Sequence, residues 1–149
     1  MPSDHKTTAR RVVEEVWNKG NLDVLNEAVA PNYVGHDTLG PQIQGLEGFK
    51  KRVHSIRAAF PDLHATVEDI FQDGDVVITR VHSRGTHKGN FQGIAPTGKR
   101  CDVEGITISR FSDDKVVEAW IQVDALALLQ QMGAVPPLGQ LKAQAAGNR

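Results

Sequence analysis

The residues best suited to chemistry lie on one predicted strand near the end of the chain. Trp120, Gln122 and Asp124 occupy alternate positions of this strand, so they share one face and apolar residues occupy the other. A carboxylate in an apolar cavity has a raised proton affinity, which suits Asp124 to general acid/base catalysis. The pattern fits equally well with the apolar face in the core and Asp124 in water. We predict that Trp120, Gln122 and Asp124 face a cavity, because a large indole on a solvated face is uncommon.

A candidate partner for Asp124 lies on the preceding predicted strand. Arg110 shares a face of that strand with Ile106 and Ile108. If this face also lines the cavity, Arg110 places a fixed positive charge opposite the carboxylate. The register across the turn between the two strands decides which face points inward, and the sequence leaves that register open.

Four other side chains have two interpretations each. His36 follows an extended segment, where it could act in catalysis or binding, or be a loop histidine bonded to the backbone. Arg80 could be a second positive group of the cavity, or form a cross-strand ion pair with a residue such as Glu68. Trp17, on an apolar helical stripe, could line the cavity or the core. Arg52 lies beside the stripe of another helix, where it could contact a ligand or be solvated, and the solvated position is the prediction.

Composition narrows the class of protein. The chain has 149 residues, and 17 Lys and Arg against 18 Asp and Glu leave it near neutrality. This balance argues against general binding of nucleic acid or of a membrane surface. The single cysteine, Cys101, excludes an intramolecular disulfide and a metal site of several cysteines. The histidines lack metal-binding spacing and the glycine-rich nucleotide motifs are absent, so we expect neither metal nor cofactor.

The N-terminus and the hydropathy predict the location of the protein. No apolar run follows the charged N-terminal residues, as it would in a secretory signal. No stretch approaches the ~20 apolar residues of a membrane span. These features predict a cytoplasmic protein that does not insert into a membrane.

Periodicity divides the chain into helices followed by strands. Helical spacing of apolar residues predicts helices over 7–19, 22–29 and 46–60, with an extended segment at 32–36. Period-two alternation then predicts strands over 63–71, 76–84, 103–111 and 116–123, and a last helix follows at 124–132. This order indicates an α+β fold in which one curved, mostly antiparallel sheet wraps over N-terminal helices. Residues 1–135 are predicted to form one domain, and residues 136–149 a mobile C-terminal tail.

Four segments resemble the SnoaL-like polyketide cyclases, which share the fold of nuclear transport factor 2 and ketosteroid isomerase. They are FPDLH at 60–64, GDVVITR at 74–80, GTHKGNFQGIAPTGK at 85–99 and EAWIQVDALALLQQMG at 118–133. The resemblance implies a cone-shaped barrel made of one curved sheet closed by helices. It also implies a homodimer paired through the outer face of the sheet, and this would cover the second side of the last strand.

The resemblance further implies a reaction. The best-studied members close a ring by intramolecular aldol condensation without metal or cofactor, using an aspartate at the position of Asp124. Where those cyclases have a histidine on the third strand, this chain has Arg110, which cannot donate a proton reversibly near neutral pH but can stabilise an oxyanion.

We therefore expect a cofactor-independent acid/base enzyme that cyclises or isomerises a small, largely apolar carbonyl compound. Asp124, Arg110 and His36 are the expected catalytic residues. The side chains expected to bind the substrate are Trp17, Trp120, Gln122, Ile108, Arg80 and Phe91. Two alternatives remain open, namely hydrolysis of an epoxide or ester on the same fold and a non-catalytic small-molecule binding module.

Overall fold

A computed structural model describes residues 4–140 of the chain. Its N-terminal part is helical. Helix α1 spans His5–Arg11, a π-helical segment continues it over Val12–Trp17, and α2 spans Asp23–Ala28. Two further helices follow later in the chain, α3 over Gly45–Ala59 and α4 over Ala125–Met132.

Six strands in the described part of the chain form one sheet in the order β2-β1-β6-β5-β4-β3. The sheet is curved and does not close into a complete barrel. The strands are β1 Val29–Asp37, β2 Ile43–Gln44, β3 His64–Asp73, β4 Val76–Thr86, β5 Arg100–Ser112 and β6 Lys115–Val123.

The pairing of β1 with β6 is parallel, whereas the other neighbouring strands pair antiparallel. The parallel pairing places Asp37 beside Ile121 and His36 beside Trp120. On the other side of β6, the antiparallel pairing with β5 places Thr107 beside Ile121. These registers determine which side chains share a face, because side chains at directly opposed positions point to the same side of a sheet.

One face of the sheet, which we call the inner face, packs against the helices. The main core cluster joins Val16, Leu25 and Val53 of the helical part to Val77 and Phe111 of the sheet. All five are buried. The opposite, outer face carries several large apolar side chains that remain exposed, as described below.

Two side-chain contacts fix the end of the π-helical segment. The Asn18 amide donates to the Ala65 carbonyl at 2.8 Å and accepts from the Ala65 N–H at 2.6 Å, as a neighbouring strand would. Arg57 Nη1 donates to the Trp17 carbonyl at 2.7 Å, which supplies a partner for a carbonyl that the helix end leaves free. The side chains of this segment are therefore held against the inner face.

The glycine-rich loop between β4 and β5 docks on the end of α3. The N–H groups of Lys88 and Gly89 both donate to the Ala59 carbonyl, at 2.9 and 3.1 Å. A Cβ atom on Gly89 would lie 2.3 Å from the Ala58 carbonyl oxygen. The loop can approach the helix this closely because residue 89 has no side chain.

The structure confirms the α+β fold and the predicted order of elements. Three details differ from the prediction: the first helix continues as a π-helical turn, β1 extends from Val29 to Asp37, and a two-residue strand precedes α3. None of the described helices is long and apolar enough to cross a membrane. The predicted boundary at residue 135 remains a prediction, and residues 141–149 of the predicted tail lie outside the described range.

Substitution of Gly89 tests the docking of the loop. We expect Gly89→Ala to lower the free energy of unfolding by about 1–3 kcal/mol, because the new methyl group must displace helix backbone. Urea denaturation followed by circular dichroism measures the change. Gly48→Ala is the control, since its Cβ would meet Ile43 at an ordinary 3.5 Å and should stabilise α3 by up to about 1 kcal/mol. A Gly89→Ala variant as stable as the wild type would contradict the docking.

Candidate active site

The helices and the inner face of the sheet surround a cavity of about 220 Å³. Apolar side chains make up most of its wall, among them Trp17, Phe49, Ile56 and Phe91. Pockets for drug-sized ligands usually measure roughly 300–1,000 Å³. The cavity is therefore suited to a small, largely apolar molecule.

Asp37 brings a carboxylate to the cavity wall at the end of β1. Its side chain is 9% exposed, and that of its ion-pair partner Arg52, on α3, is 11% exposed. Arg52 donates to Asp37 Oδ2, and its Nη2 donates to the Pro41 carbonyl at 2.8 Å. The Leu39 N–H donates to Asp37 Oδ1 at 2.9 Å. Donors to both oxygens fix the orientation of the carboxylate.

Tyr33 lies on the same inward face of β1 as Asp37. Its side chain is 1% exposed, and its hydroxyl has no hydrogen-bond partner among residues 4–140. Burial, together with the negative charge of Asp37, raises the pKa of Tyr33, so the hydroxyl stays protonated. A Cβ atom on Gly35 would lie only 2.6 Å from this hydroxyl oxygen. Glycine at position 35 thus leaves the space that the hydroxyl occupies.

The prediction that Trp120 and Ile108 face the cavity was wrong. Both lie on the outer face, with 38% and 37% of their surface exposed, whereas Ala119 and Ile121 of β6 line the cavity. The apolar positions of β6 therefore point inward, as in the alternative arrangement. The Trp120 indole stacks on the His36 ring, with centroids 5.5 Å apart.

The predicted pairing of Arg110 with Asp124 is also absent. Arg110 lies opposite Glu118 in the register of β5 and β6. Its Nη2 donates to Glu118 Oε1 at 3.0 Å, and His36 Nε2 lies 2.8 Å from Glu118 Oε2. Arg110 and His36 thus belong to an ion-pair group on the outer face, where Glu118 also lies.

Arg80 forms the cross-strand ion pairs that were the alternative to a cavity position. Its guanidinium donates to Asp69 at 2.7 Å and to Glu104 at 2.9 Å. Hydrogen bonding to Asp69 is the main cause that raises the pKa of Arg80. Arg80 pairs with Asp69 instead of the expected Glu68, because the register of β3 against β4 shifts after Val67 and brings Asp69 opposite Arg80.

Asp124 lies at the end of β6 but is exposed and does not line the cavity. Its Oδ1 accepts from the Ala127 N–H at 3.0 Å, so the side chain caps α4. Gln122 borders the cavity, although it is exposed. Trp17 and Phe91 line the cavity, which is consistent with their prediction as pocket residues. The roles predicted for these four residues remain predictions.

Sequence reasoning missed Asp37, Tyr33 and Arg52. The segment NYVGHD places Tyr33, Gly35 and Asp37 at alternate positions. This spacing indicates that the three residues share one face of a strand, which here is the inner face. The predicted extended segment ended at His36, one residue before the carboxylate. The prediction that Arg52 is solvated was wrong, because its guanidinium reaches back from α3 to the end of β1.

The described residues contain no group of three or more His, Cys, Asp or Glu side chains arranged to hold a metal ion. The polar residues at the cavity wall are instead Asp37 and Tyr33, the threonines and serines of the inner face, and Arg84, Glu104 and Gln122. This arrangement can remove a proton from a bound molecule and donate hydrogen bonds to it.

Comparison with known proteins identifies the family. A family model described as SnoaL-like polyketide cyclase matches residues 7–132. The chain belongs to this family. It is 30% identical over 128 residues to aklanonic acid methyl ester cyclase DauD of Streptomyces sp. (strain C5), covering 83% of this chain and 78% of the relative. It is 31% identical to the cyclase of the same name, AcmA, of Streptomyces galilaeus, over 76% of this chain and 80% of the relative.

Solved structures of SnoaL-like proteins share the fold. A candidate SnoaL-like polyketide cyclase of Jannaschia sp. CCS1 superposes with a TM-score of 0.81 at 27% identity, over 89% of this chain and 93% of that one. IdmH of Streptomyces antibioticus, a candidate polyketide cyclase, superposes with a TM-score of 0.75 at 35% identity, over 88% and 99%. The predicted resemblance is confirmed, and with it the expectation of a cyclase-like enzyme.

The outer ion-pair group makes a prediction about acid stability. Hydrogen bonds from His36 and Arg110 hold the pKa of Glu118 below its usual value of 4.5. Because the folded pKa is lowered, the ionised carboxylate stabilises the fold above that range, and the contribution is lost as the pH falls through it. Glu118→Gln should therefore be less stable than the wild type at neutral pH, and the difference should shrink as the pH falls below about 4.

Urea denaturation at a series of pH values measures this difference. Glu14→Gln serves as the control, because Glu14 is 56% exposed in its ion pair with Arg10 and should contribute little at any pH. A stability difference for Glu118→Gln that does not change with pH would contradict the electrostatic explanation.

Proposed function

We propose that the protein is a cofactor-independent acid/base enzyme that acts on a small, largely apolar carbonyl compound by aldol-type cyclisation. The observation that carries this proposal is the Asp37 carboxylate, held at the wall of an apolar cavity. The names of the relatives, which are cyclases of aklanonic acid methyl ester, support the same reaction class. Isomerisation by proton transfer would use the same base.

In the proposed mechanism Asp37 first removes a proton from the carbon beside a substrate carbonyl. The resulting enolate carbon attacks a second carbonyl of the same molecule, which forms the new carbon–carbon bond and leaves an alkoxide. The alkoxide then takes the proton back from Asp37. Each electron pair and proton is accounted for within the substrate and one carboxyl group, so the reaction requires no oxidant or reductant.

The surroundings of Asp37 suit this role in two ways. The Leu39 N–H and Arg52 hold the carboxylate in place, so little reorganisation is needed when the proton moves. The positive charge of Arg52, which pairs with Asp37, also offsets negative charge that develops next to this carboxylate. Arg52 therefore takes the electrostatic role that was first predicted for Arg110.

Tyr33 is the proposed hydrogen-bond donor of the site. Its hydroxyl stays protonated, because burial raises the pKa of the phenol. It has no partner among the described residues, and because the oxygen is buried, a substrate oxygen can accept its proton only when the surrounding wall moves aside. Such a donor stabilises an oxyanion in acyl and enolate chemistry.

A proton-exchange experiment tests Asp37 against Asp124 as the base. The probe is methyl naphthyl ketone in deuterium oxide, and nuclear magnetic resonance follows the exchange of its methyl protons. We expect the wild type to accelerate this exchange, and Asp37→Asn to lose about 10²–10⁴-fold of the acceleration, which is typical of a general base. Asp124→Asn is the matched control and should stay within a few-fold of the wild type.

Other outcomes of the experiment identify other functions. Loss of exchange in Asp124→Asn but not in Asp37→Asn would overturn the assignment to Asp37 and restore the base predicted from the resemblance. Binding of the ketone without exchange in the wild type would favour a binding module. With an epoxide or an ester in place of the ketone, incorporation of labelled oxygen from water into the product would indicate hydrolysis. Cyclisation of aklanonic acid methyl ester by the wild type would extend the reaction of the relatives to this protein.

We also propose that the protein is a homodimer paired through the outer face of the sheet. Large apolar side chains on this face remain exposed, including Phe71 at 60%, Ile106 at 45% and Ile108 at 37%. Exposed apolar clusters of this kind mark interaction surfaces. The ion-pair groups of Arg80 and Arg110 flank the cluster, as polar residues do at the rim of an interface.

Light scattering coupled to size exclusion tests the dimer. We expect Ile108→Glu to convert a dimer into a monomer, because it places an unpaired charge in the apolar centre of the interface. Lys51→Glu, a larger charge change on the exposed side of α3, should leave the mass unchanged. A monomeric wild type, or an Ile108→Glu variant that remains a dimer, would contradict the proposed interface.

A further inference from the structure

Three hydroxyl side chains on the inner face make no side-chain hydrogen bond to another residue of the described range. Thr79 of β4 and Thr107 of β5 lie directly opposite each other, and Ser109 follows on the same face of β5. All three line the cavity. Thr79 is 4% exposed and Ser109 8%. No side-chain hydrogen bond within residues 4–140 involves any of the three hydroxyl groups.

This arrangement is unusual for a pair of threonines of which one is buried and the other half-buried. Threonines at directly opposed positions of a sheet commonly hydrogen-bond to each other, yet the hydroxyls of Thr79 and Thr107 do not. A hydroxyl that faces an apolar wall without a protein partner gives up hydrogen bonds to bulk water, which is a cost to stability. Valine would fill the same space in an apolar wall without that cost. The position of these hydroxyl groups at the cavity wall indicates that their partner is a bound molecule.

The registers place the threonines at the same level of the sheet as Asp37. Asp37 lies beside Ile121, Ile121 beside Thr107, and Thr107 beside Thr79. Two strand spacings, roughly 10 Å, separate β1 from β5 along this row. The side chain between them, Ile121, is apolar. A molecule that lies across the row therefore meets a carboxylate at one end, an apolar middle, and hydroxyl groups at the other end.

The geometry points to a second polar contact site in the cavity, in which Thr79 and Thr107 bind an oxygen substituent of the substrate. The enzyme would then prefer carbonyl compounds that carry a hydroxyl or carbonyl oxygen at the end opposite the reacting carbon. This inference rests on the proposed function, since it takes Asp37 as the place where the reacting carbon lies. Ser109, two residues further along β5, extends the same polar strip.

The expected effect on selectivity follows from the chemistry of the contact. A site built to hydrogen-bond an oxygen rejects an analogue that lacks it, because the hydroxyl groups of the site are then left without partners. A neutral hydrogen bond contributes a net 0.5–1.5 kcal/mol, which corresponds to a preference of about twofold to tenfold.

Two probe ketones test this site by isothermal titration calorimetry. One is methyl naphthyl ketone, and the other is its derivative with a hydroxyl group on the distal ring. We expect the wild type to bind the hydroxy derivative about fivefold more tightly. In the double variant Thr79→Val/Thr107→Val, which keeps the shape of the side chains, the preference should disappear while affinity for the parent ketone is kept or rises. Thr107→Ser, which keeps the hydroxyl, should retain the preference.

Asp37→Asn separates this inference from the proposed function. It should abolish proton exchange and yet keep the preference for the hydroxy derivative, because Asp37 lies at the other end of the row. The inference is overturned if the wild type binds the two ketones equally, if the valine double variant keeps the preference, or if neither ketone binds. Thermal melts of the variants check that each is folded.

Discussion

The parallel pairing of β1 with β6 determines which side chains enter the cavity. This register places Asp37 beside Ile121 and His36 beside Trp120. Because neighbours across a sheet point to the same side, the carboxylate enters the cavity with Ile121, and the imidazole lies outside with the indole. A shift of one residue would exchange the two sets and place a histidine where the carboxylate now lies. The buried ion pair with Arg52 is possible only in the observed register.

The two faces of the sheet thus carry different kinds of chemistry. On the inner face, a few polar groups lie among apolar side chains, so each charge and donor acts in a weakly screened environment. On the outer face, the side chains of Arg80 and Arg110 are 39% and 43% exposed, and solvent weakens their ion pairs. Residues of the same chemical type therefore have different consequences on the two faces. Arg52 orients the Asp37 carboxylate at the cavity wall, whereas Arg80 and Arg110 lie at the rim of the proposed dimer interface on the outer face.

The fold was predictable from the sequence, but only part of the site was. Period-two alternation located β6 and the family resemblance indicated the architecture, since both depend on local or recurrent patterns. The orientation of β6 was wrong because Trp120 was judged as if the outer face were simply solvated, whereas it stacks on His36 within an apolar cluster. The Asp37–Arg52 pair joins residues from two elements whose distance depends on tertiary packing. No spacing in the sequence reports such a contact.

The π-helical segment contributes to one wall of the cavity, and it contains more residues than an α-helix between the same end points would. A π-helical turn bonds each N–H to a carbonyl five residues earlier, so it holds one more residue than an α-helical turn between the same end points. The Asn18 N–H to Val13 carbonyl bond, at 3.1 Å, is of this type. Losing a single residue here would restore a regular helix and rotate Trp17 relative to the sheet, with both anchors at the segment's end still available. Relatives of this chain could thus acquire cavities of different shape through a one-codon deletion, while every strand keeps its register.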